Sequence, residues 1–396
     1  MIPVADALAR LLALVEPLPG ETVPLAEAGG RVMLDDAVAT RDQPPFDASA
    51  MDGYAVRAAE AVTGADLEVA GQSAAGRAFG GALPRGGAVR IFTGAPVPEG
   101  ADAILIQEDA ERQGSRVRVV TPPGRGEYVR PRGMDFPAGF RLPGPRRLAA
   151  RDVALLAAMN LPTVTVARRP VVALIPTGDE LVEPGETPGA DQIVSSNNYG
   201  LATMLAAIGA VPRMCPIARD TRASLVAALE VARGADFIVT LGGASVGDHD
   251  LVAEVFGAEG LALDFFKVAM RPGKPLMAGR IGGSVMLGLP GNPVSSMICG
   301  EIFLRPAIDR ALGLPARARP RRRGRIEAAI EANGPREHYM RAVMREGADG
   351  VALLSTLSRQ DSNLLATLAE ANALIVRAPH SPAAAQGEAV EFIALD

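Results

Sequence analysis

Three stretches of this chain pair glycine with small polar residues where an anion could be held. Residues 240–250 read TLGGASVGDHD, after an apolar run and before a helical pattern. Gly242 and Gly243 let the backbone turn tightly and approach a ligand, with the Ser245 hydroxyl and Gly247 just beyond. Residues 289–296 (LPGNPVSS) repeat the arrangement with Pro290, Gly291, Asn292, Pro293 and Ser295. Residues 175–181 (IPTGDEL) offer Thr177 and Gly178. One Gly-rich turn between strand and helix is common, but three on the edge of one sheet define a pocket. None matches a Walker A loop or G-x-G-x-x-G, so neither a P-loop NTPase nor a nicotinamide enzyme is favoured.

Carboxylates crowd the same turns: Asp179, Glu180, Asp220, Asp248 and Asp250. Beside an anion they repel it unless a divalent cation or basic groups intervene, an arrangement suited to Mg²⁺-assisted phosphoryl chemistry. Taken singly, each acid is more simply a helix cap or a surface charge. Basic groups come from residues 267–275, which hold Lys267, Arg271 and Lys274. Of the chain's 40 basic residues only Lys267 and Lys274 are lysines, seven positions apart. Arginine bias plus coincidence is one reading. The favoured one is that at least one position needs a compact ammonium, which a guanidinium does not replace.

Three more loops carry exposed polar chemistry. Asp52 and Gly53 sit among small residues in 45–56, as though a carboxylate must come near a partner surface. Residues 92–102 form a polar loop with Thr93, and residues 130–135 hold Arg130 and Asp135. Nothing in the residue chemistry itself ties these loops to the pocket.

The elements that must position these residues suggest several domains in 396 residues. With 48% hydrophobic and 21% charged residues the chain can bury real cores, and a net charge of −5 argues against nucleic-acid binding through a basic surface. Cys215 and Cys299 lie far apart among apolar or small neighbours and read as reduced core thiols of a cytoplasmic protein. His249, His338 and His380 are too few and scattered for a histidine metal site. Residues 2–17 space Val4, Leu8, Leu11, Leu12 and Val15 as an amphipathic helix rather than a signal peptide, and no apolar run is long enough to span a membrane.

Four domains are expected. Residues 1–45 and 136–168 form a discontinuous, helical, elongated N-terminal domain, interrupted by a mostly-β module at 46–135. Residues 169–314 alternate strand and helix: strands at 171–176, 211–217, 237–241, 261–268 and 285–289, helices at 198–208, 221–233, 250–256 and 293–312. That pattern predicts a parallel sheet covered on both faces, with Thr221 an N-cap and Pro293 in a first helical turn. The arginine run at 317–325 is either a nucleic-acid patch or a solvated linker, and the acidic whole favours the linker. Residues 318–396 read as a small, barrel-like β domain without a chemical motif of its own.

The ordered motifs SAMDGYA at 49–55, TGAPVP at 93–98, PTGDEL at 176–181, GGASVGD at 242–248, RPGKP at 271–275 and GLPGNPVS at 288–295 are together highly specific. Over nearly its full length the chain resembles the MoeA family of molybdopterin molybdenumtransferases, related to the E domain of gephyrin. The resemblance implies a multidomain α/β plus β protein whose central domain is molybdopterin-binding-like. It implies a cytoplasmic homodimer in which the inserted module of one subunit faces the α/β pocket of the other. The implied reaction inserts molybdate into adenylylated molybdopterin, cleaving the adenylate with Mg²⁺ and releasing AMP. The implied partners are the pterin substrate, the molybdopterin adenylyltransferase and recipient molybdoenzymes, with no nucleic acid and no membrane.

By motif, the resemblance assigns Asp52, Thr93, Arg130 and Asp135 from the module, and Glu180, Asp220, Asp250, Lys267 and Arg271 from the α/β domain, to catalysis. Glu180, Asp220 and Asp250 would bind Mg²⁺, the remaining acids would orient water, and the basic groups would hold phosphates and oxyanion. Thr177, Gly178, Ser196, Asn197, Gly242, Gly243, Ser245, Gly247, Lys274, Pro290, Gly291, Asn292, Pro293 and Ser295 would hold the pterin ligand. Two positions depart from the family pattern: Arg271 stands where lysine is frequent, and Ser195 where an acid or Asn often precedes the Ser-Asn pair. Two other functions fit the same fold. Molybdopterin adenylylation would require tight Mg-ATP binding by the α/β domain, and a gephyrin-like scaffold would leave the acidic pocket idle.

Overall fold

The computed structural model describes residues 1–243 and 251–395, so Ser245, Gly247, Asp248, His249 and Asp250 lie outside the described residues. The α/β domain contributes strands β1 (Val171–Pro176), β2 (Val211–Met214), β3 (Phe237–Leu241), β4 (Leu261–Phe266), β5 (Met277–Ile281) and β6 (Ser284–Leu289) to one sheet. The order is β2-β1-β3-β6-β5-β4. Strands β2, β1, β3 and β6 are mutually parallel, and the near-continuous apolar runs of β1, β3 and β6 follow from burial on both faces, while β2 is the exposed edge.

The expected all-parallel sheet is therefore corrected to a mixed one. Strand β5 runs antiparallel to β6 and to β4. Its Gly279 and Arg280 interrupt the apolar run that a buried strand would show, which hid it in the sequence. Gly279 is required there, because a Cβ would stand 2.4 Å from the carbonyl oxygen of Ala262.

The helices are α1 (Asn197–Ala207), α2 (Arg222–Ala232), α3 (Leu251–Ala258), α4 (Pro293–Cys299) and α5 (Arg305–Ala311), with a π-helical turn at Gly300–Leu304 joining the last two. Leu225 and Leu229 of α2 and Val255 and Phe256 of α3 share a core with Ala173, Ile175, Ile238 and Met286 of the sheet. Helix α1 lies along β1 and β2 and packs on α4. A Cβ on Gly200 would come within 2.9 Å of Met297, so that helix pair is held close by the missing side chain. Thr221 does cap α2, accepting from the Ser224 amide at 3.3 Å.

The chain divides into two compact units, Thr22–Val166 and Met1–Glu21 with Ala167–Asp396. The helix Val4–Ala13 buries Val4, Ala7, Leu8 and Leu11 within the second of these. That unit also holds the C-terminal barrel. Its strand Glu337–Glu346 pairs with both Ala352–Thr356 and Ala373–Arg377, and Arg322–Ile326 and Ala389–Ala394 complete the ring. The arginine run is no free tract. Arg322–Ile326 is a barrel strand, Arg321 pairs with Glu337 and Glu391 at 2.9 and 3.1 Å, and Arg325 with Asp349 at 2.7 Å.

In the Thr22–Val166 unit, a six-stranded sheet runs Ala103–Ile106, Gly53–Val56, Gly87–Ile91, Asp66–Ser73, Arg116–Val119, Ala110–Gln113. The expected helical N-terminal domain is corrected. Besides the helix Ala150–Ala158, its segments build a four-stranded sheet from Gly20–Pro24, Thr163–Ala167, Val32–Met33 and Arg146–Arg147. Val32–Met33 and Arg146–Arg147 are too short to show alternation, so periodicity registered the helices and not these strands.

Candidate active site on the sheet edge

The C-terminal ends of β1, β3 and β6 are locked together. The Thr177 amide donates to Leu241 O at 3.1 Å, the Gly242 amide to Leu289 O at 3.1 Å, and the Gly178 amide to Ala218 O at 3.0 Å. Beyond them opens a cleft of about 1050 Å³. Two glycines are obligatory at its floor. Gly242 has φ +109° and a Cβ there would meet Thr177 O at 2.6 Å; Gly243 has φ +67° and would meet Val252 at 2.3 Å. The N-terminus of α1 closes one side, where Asn197 Nδ2 donates to Gly291 O at 2.8 Å. With the Thr177, Gly178 and Gly242 amides given to carbonyls, it is the first-turn amides of α1 that suit an anionic ligand at this edge.

Thr177, Gly178, Glu180, Ser196, Asn197, Asp220, Gly242, Gly243, Pro290, Gly291, Asn292 and Pro293 all border this cleft. Ser295 does not reach it: it is buried in α4. Ser195 does line the cleft, though largely buried, and its hydroxyl donates to Asn198 Oδ1 at 3.1 Å. The assignments to Ser245, Gly247 and Asp250 fall outside the described residues.

Partial burial and the like charges of Asp179 and Glu180 push the Asp220 carboxyl above the usual range. Arg219 Nη1 is shared among the carbonyls of Gly178, Asp179 and Leu181 at 3.2, 3.0 and 2.9 Å, which fixes the acidic turn. Among the described residues no three His, Cys, Asp or Glu side chains converge to hold a metal. Glu180 and Asp220 nevertheless fit a Mg²⁺ ion as a partial donor set. Both are hard oxygen ligands on the cleft, and a dication would relieve the repulsion felt by Asp220.

The basic residues are distributed differently from the acids. Lys267, Arg271 and Lys274 do not border the cleft, although Pro275 of the same loop does. The Lys267 ammonium lies 5.0 Å from the Phe266 ring centre, and the Val268 amide closes the loop onto Lys274 O at 3.0 Å. Arg271 is paired in parallel with His338 of the barrel. Burial, then the charges of Arg271, Arg336, Arg341 and Arg377, pull the His338 pKa down to about 4.

The barrel also reaches the site, which the sequence reading missed. Asn363 borders the cleft. Ser362 accepts from the Asn292 side chain at 3.0 Å through its hydroxyl, and its carbonyl accepts from the Val294 amide at 3.0 Å. The available signal was the polar run Asp361-Ser362-Asn363 just before a helix, a cap-like pattern.

In the other unit, the three polar loops meet on one face. Residues Ala48–Ser49 pair with Val129–Arg130, the Gly94 amide donates to Ser49 O, and the Asp135 amide donates to Gln43 O. Asp52 Oδ1 accepts from both the amide and the hydroxyl of Thr93 at 2.8 Å, and these bonds hold its pKa below the usual carboxylate range. Arg130 and Asp135 are exposed beside them.

Three family profiles match in succession: MoeA N-terminal region (domain I and II) at residues 2–160, Probable molybdopterin binding domain at 173–310, and MoeA C-terminal region (domain IV) at 323–395. A molybdopterin molybdenumtransferase of Nostoc sp. is 36% identical over 90% of this chain and 84% of its own length. The chain belongs to the MoeA family. Another of its members, molybdopterin molybdenumtransferase 2 of Mycobacterium tuberculosis, is 37% identical over 89% of this chain and 90% of its own. A crystal structure of a MoeA protein from Pyrococcus horikoshii, described as a molybdopterin biosynthesis protein, superposes with a TM-score of 0.86. It is 29% identical and the match covers 100% of this chain and 99% of that one. The MoeA cleft thus lies in the segment matched as molybdopterin binding, and Asn363 reaches it from the segment matched as domain IV.

Proposed function

We propose that this chain is a molybdopterin molybdenumtransferase that inserts molybdate into adenylylated molybdopterin and releases AMP. The observation that carries the reading is the lining of the cleft, where the backbone turns at Thr177–Gly178 and Gly242–Gly243 adjoin the carboxylates of Glu180 and Asp220. Relatives that bear this activity in their names cover most of the chain. Molybdopterin adenylylation is not favoured, because the similarity extends through the N-terminal region and the barrel as well as the α/β domain.

In this reading the N-terminus of α1, beginning at Asn197, orients the pyrophosphate link of the substrate, and the glycine turns leave room for it. Water attacks one phosphorus, the bond to the bridging oxygen breaks, and AMP and the phosphomonoester of molybdopterin separate. A Mg²⁺ held by Glu180 and Asp220 would supply charge neutralisation of the phosphates. Arg271, Lys274 and Lys267 lie outside the cleft on the loop that meets it at Pro275, and the family resemblance is what assigns them to the molybdate oxyanion, which is a substrate. Asp52, kept ionised by Thr93, orients the water together with Asp135, and Arg130 adds positive charge.

Two copies are taken to associate, with the Asp52–Thr93 face of one serving the cleft of the other. The product passes to recipient molybdoenzymes. A cytoplasmic setting is supported by Cys215 and Cys299, both free and buried, and no helix among the described residues is long and apolar enough to cross a membrane.

The test is AMP release from adenylylated molybdopterin with molybdate and Mg²⁺. Glu180→Gln and Asp220→Asn should each lower turnover by roughly 100-fold. Wild-type turnover in both variants would remove the acidic cleft from the reaction.

A further inference from the structure

Arg90 belongs to none of the ordered family motifs, yet it contacts the chain on either side of the Asp52–Thr93 pair. It sits on the strand Gly87–Ile91, directly opposite Tyr54 in the antiparallel register. Its guanidinium lies over two aromatic rings, 5.2 Å from the Tyr54 centroid and 4.8 Å from that of Phe92. Its two terminal nitrogens donate to Gly53 O at 3.1 Å and Gln107 Oε1 at 3.0 Å. The Gln107 amide in turn donates to Asp52 O at 3.1 Å.

These contacts tie together both segments that set the Asp52–Thr93 pair. The Tyr54 side and Gly53 O belong to the chain just after Asp52, and Phe92 is the residue just before Thr93. Gly53 lies close against the neighbouring strand, where a Cβ would meet Leu105 O at 2.1 Å. With Oδ1 taken twice by Thr93, no hydrogen bond to Asp52 Oδ2 is found among the described residues. We infer that Arg90 is a positioning residue that holds Asp52 and Thr93 in register so that Asp52 Oδ2 is presented outward for the reaction. This rests on the proposal that Asp52 acts in the transferase reaction.

The geometry requires a planar cation with two donors. A lysine carries one compact ammonium and neither covers both rings nor reaches both acceptors. Arg90→Met should therefore lower kcat by about 10-fold with KM for both substrates nearly unchanged, as expected where the lost contact serves only the reacting geometry. Arg90→Lys should fail to restore it. The decisive readout is a double-mutant cycle on AMP release, with thermal unfolding checked for each variant. Once Asp52→Asn has removed the group being positioned, adding Arg90→Met should cost less than about twofold. Where Arg90→Met does not fold, Gln107→Ala removes one acceptor and should give a smaller kcat loss with the same non-additivity. Losses that multiply in the double variant, or a raised KM with wild-type kcat, would overturn the role of Arg90. Full activity of Asp52→Asn alone would instead overturn the parent reading of Asp52, and this inference with it.

Discussion

At the scale of single residues, Asp220 is the most exposed to test. Its pKa is raised by partial burial and by Asp179 and Glu180, so the folded state holds the proton more tightly than the unfolded one. Stability from this group is fully present below the unfolded pKa and is lost as pH rises through the folded value. At neutral pH, Asp220→Asn should raise the melting temperature of the metal-free protein, and the stabilisation that added Mg²⁺ gives to wild type should shrink in the variant. A variant that melts lower and still gains fully from Mg²⁺ would contradict the placement of the dication. His338 has the opposite shift for a base: it is neutral in the fold and titrates at about 4. Its contribution is complete above the unfolded pKa and disappears as pH falls towards 4. An imidazole NMR titration with a midpoint near 6.5 would show that neither burial nor the arginines act on it.

At the scale of elements, much of the site was legible because its chemistry lies in short contiguous motifs at strand ends. The apolar run of β1, the glycines at 242–243 and the cap at Thr221 each follow from a local rule, and the structure brings the three turns to one edge. Strand β5 was hidden because Gly279 and Arg280 break its pattern, and the Val32–Met33 and Arg146–Arg147 strands because two residues carry no period. The contribution of Ser362 and Asn363 was illegible for another reason: it depends on how the barrel docks against α4, which no local pattern encodes. Arg90 escaped notice because its meaning lies in cross-strand neighbours. Removing the α2 cap by Thr221→Ala should cost about 1 kcal/mol in denaturant unfolding. An unchanged midpoint would mean that the hydroxyl–amide bond adds nothing at that helix end.

At the scale of the whole molecule, the proposed chemistry is divided between two faces carried by separate compact units. If two copies share their sites, inactive Asp52→Asn and Glu180→Gln subunits should complement after unfolding and remixing, recovering about a quarter of wild-type activity through the one intact composite site in mixed dimers. Absence of recovery, with mixed dimers demonstrated, would return both faces to a single chain. The most direct measurement follows AMP and molybdenum together in single turnovers of the wild-type protein with adenylylated molybdopterin, Mg²⁺ and molybdate. One AMP should appear for each pterin that acquires molybdenum and becomes able to activate a cofactor-free molybdoenzyme. AMP formed without molybdenum transfer, or no AMP at all, would contradict the assignment.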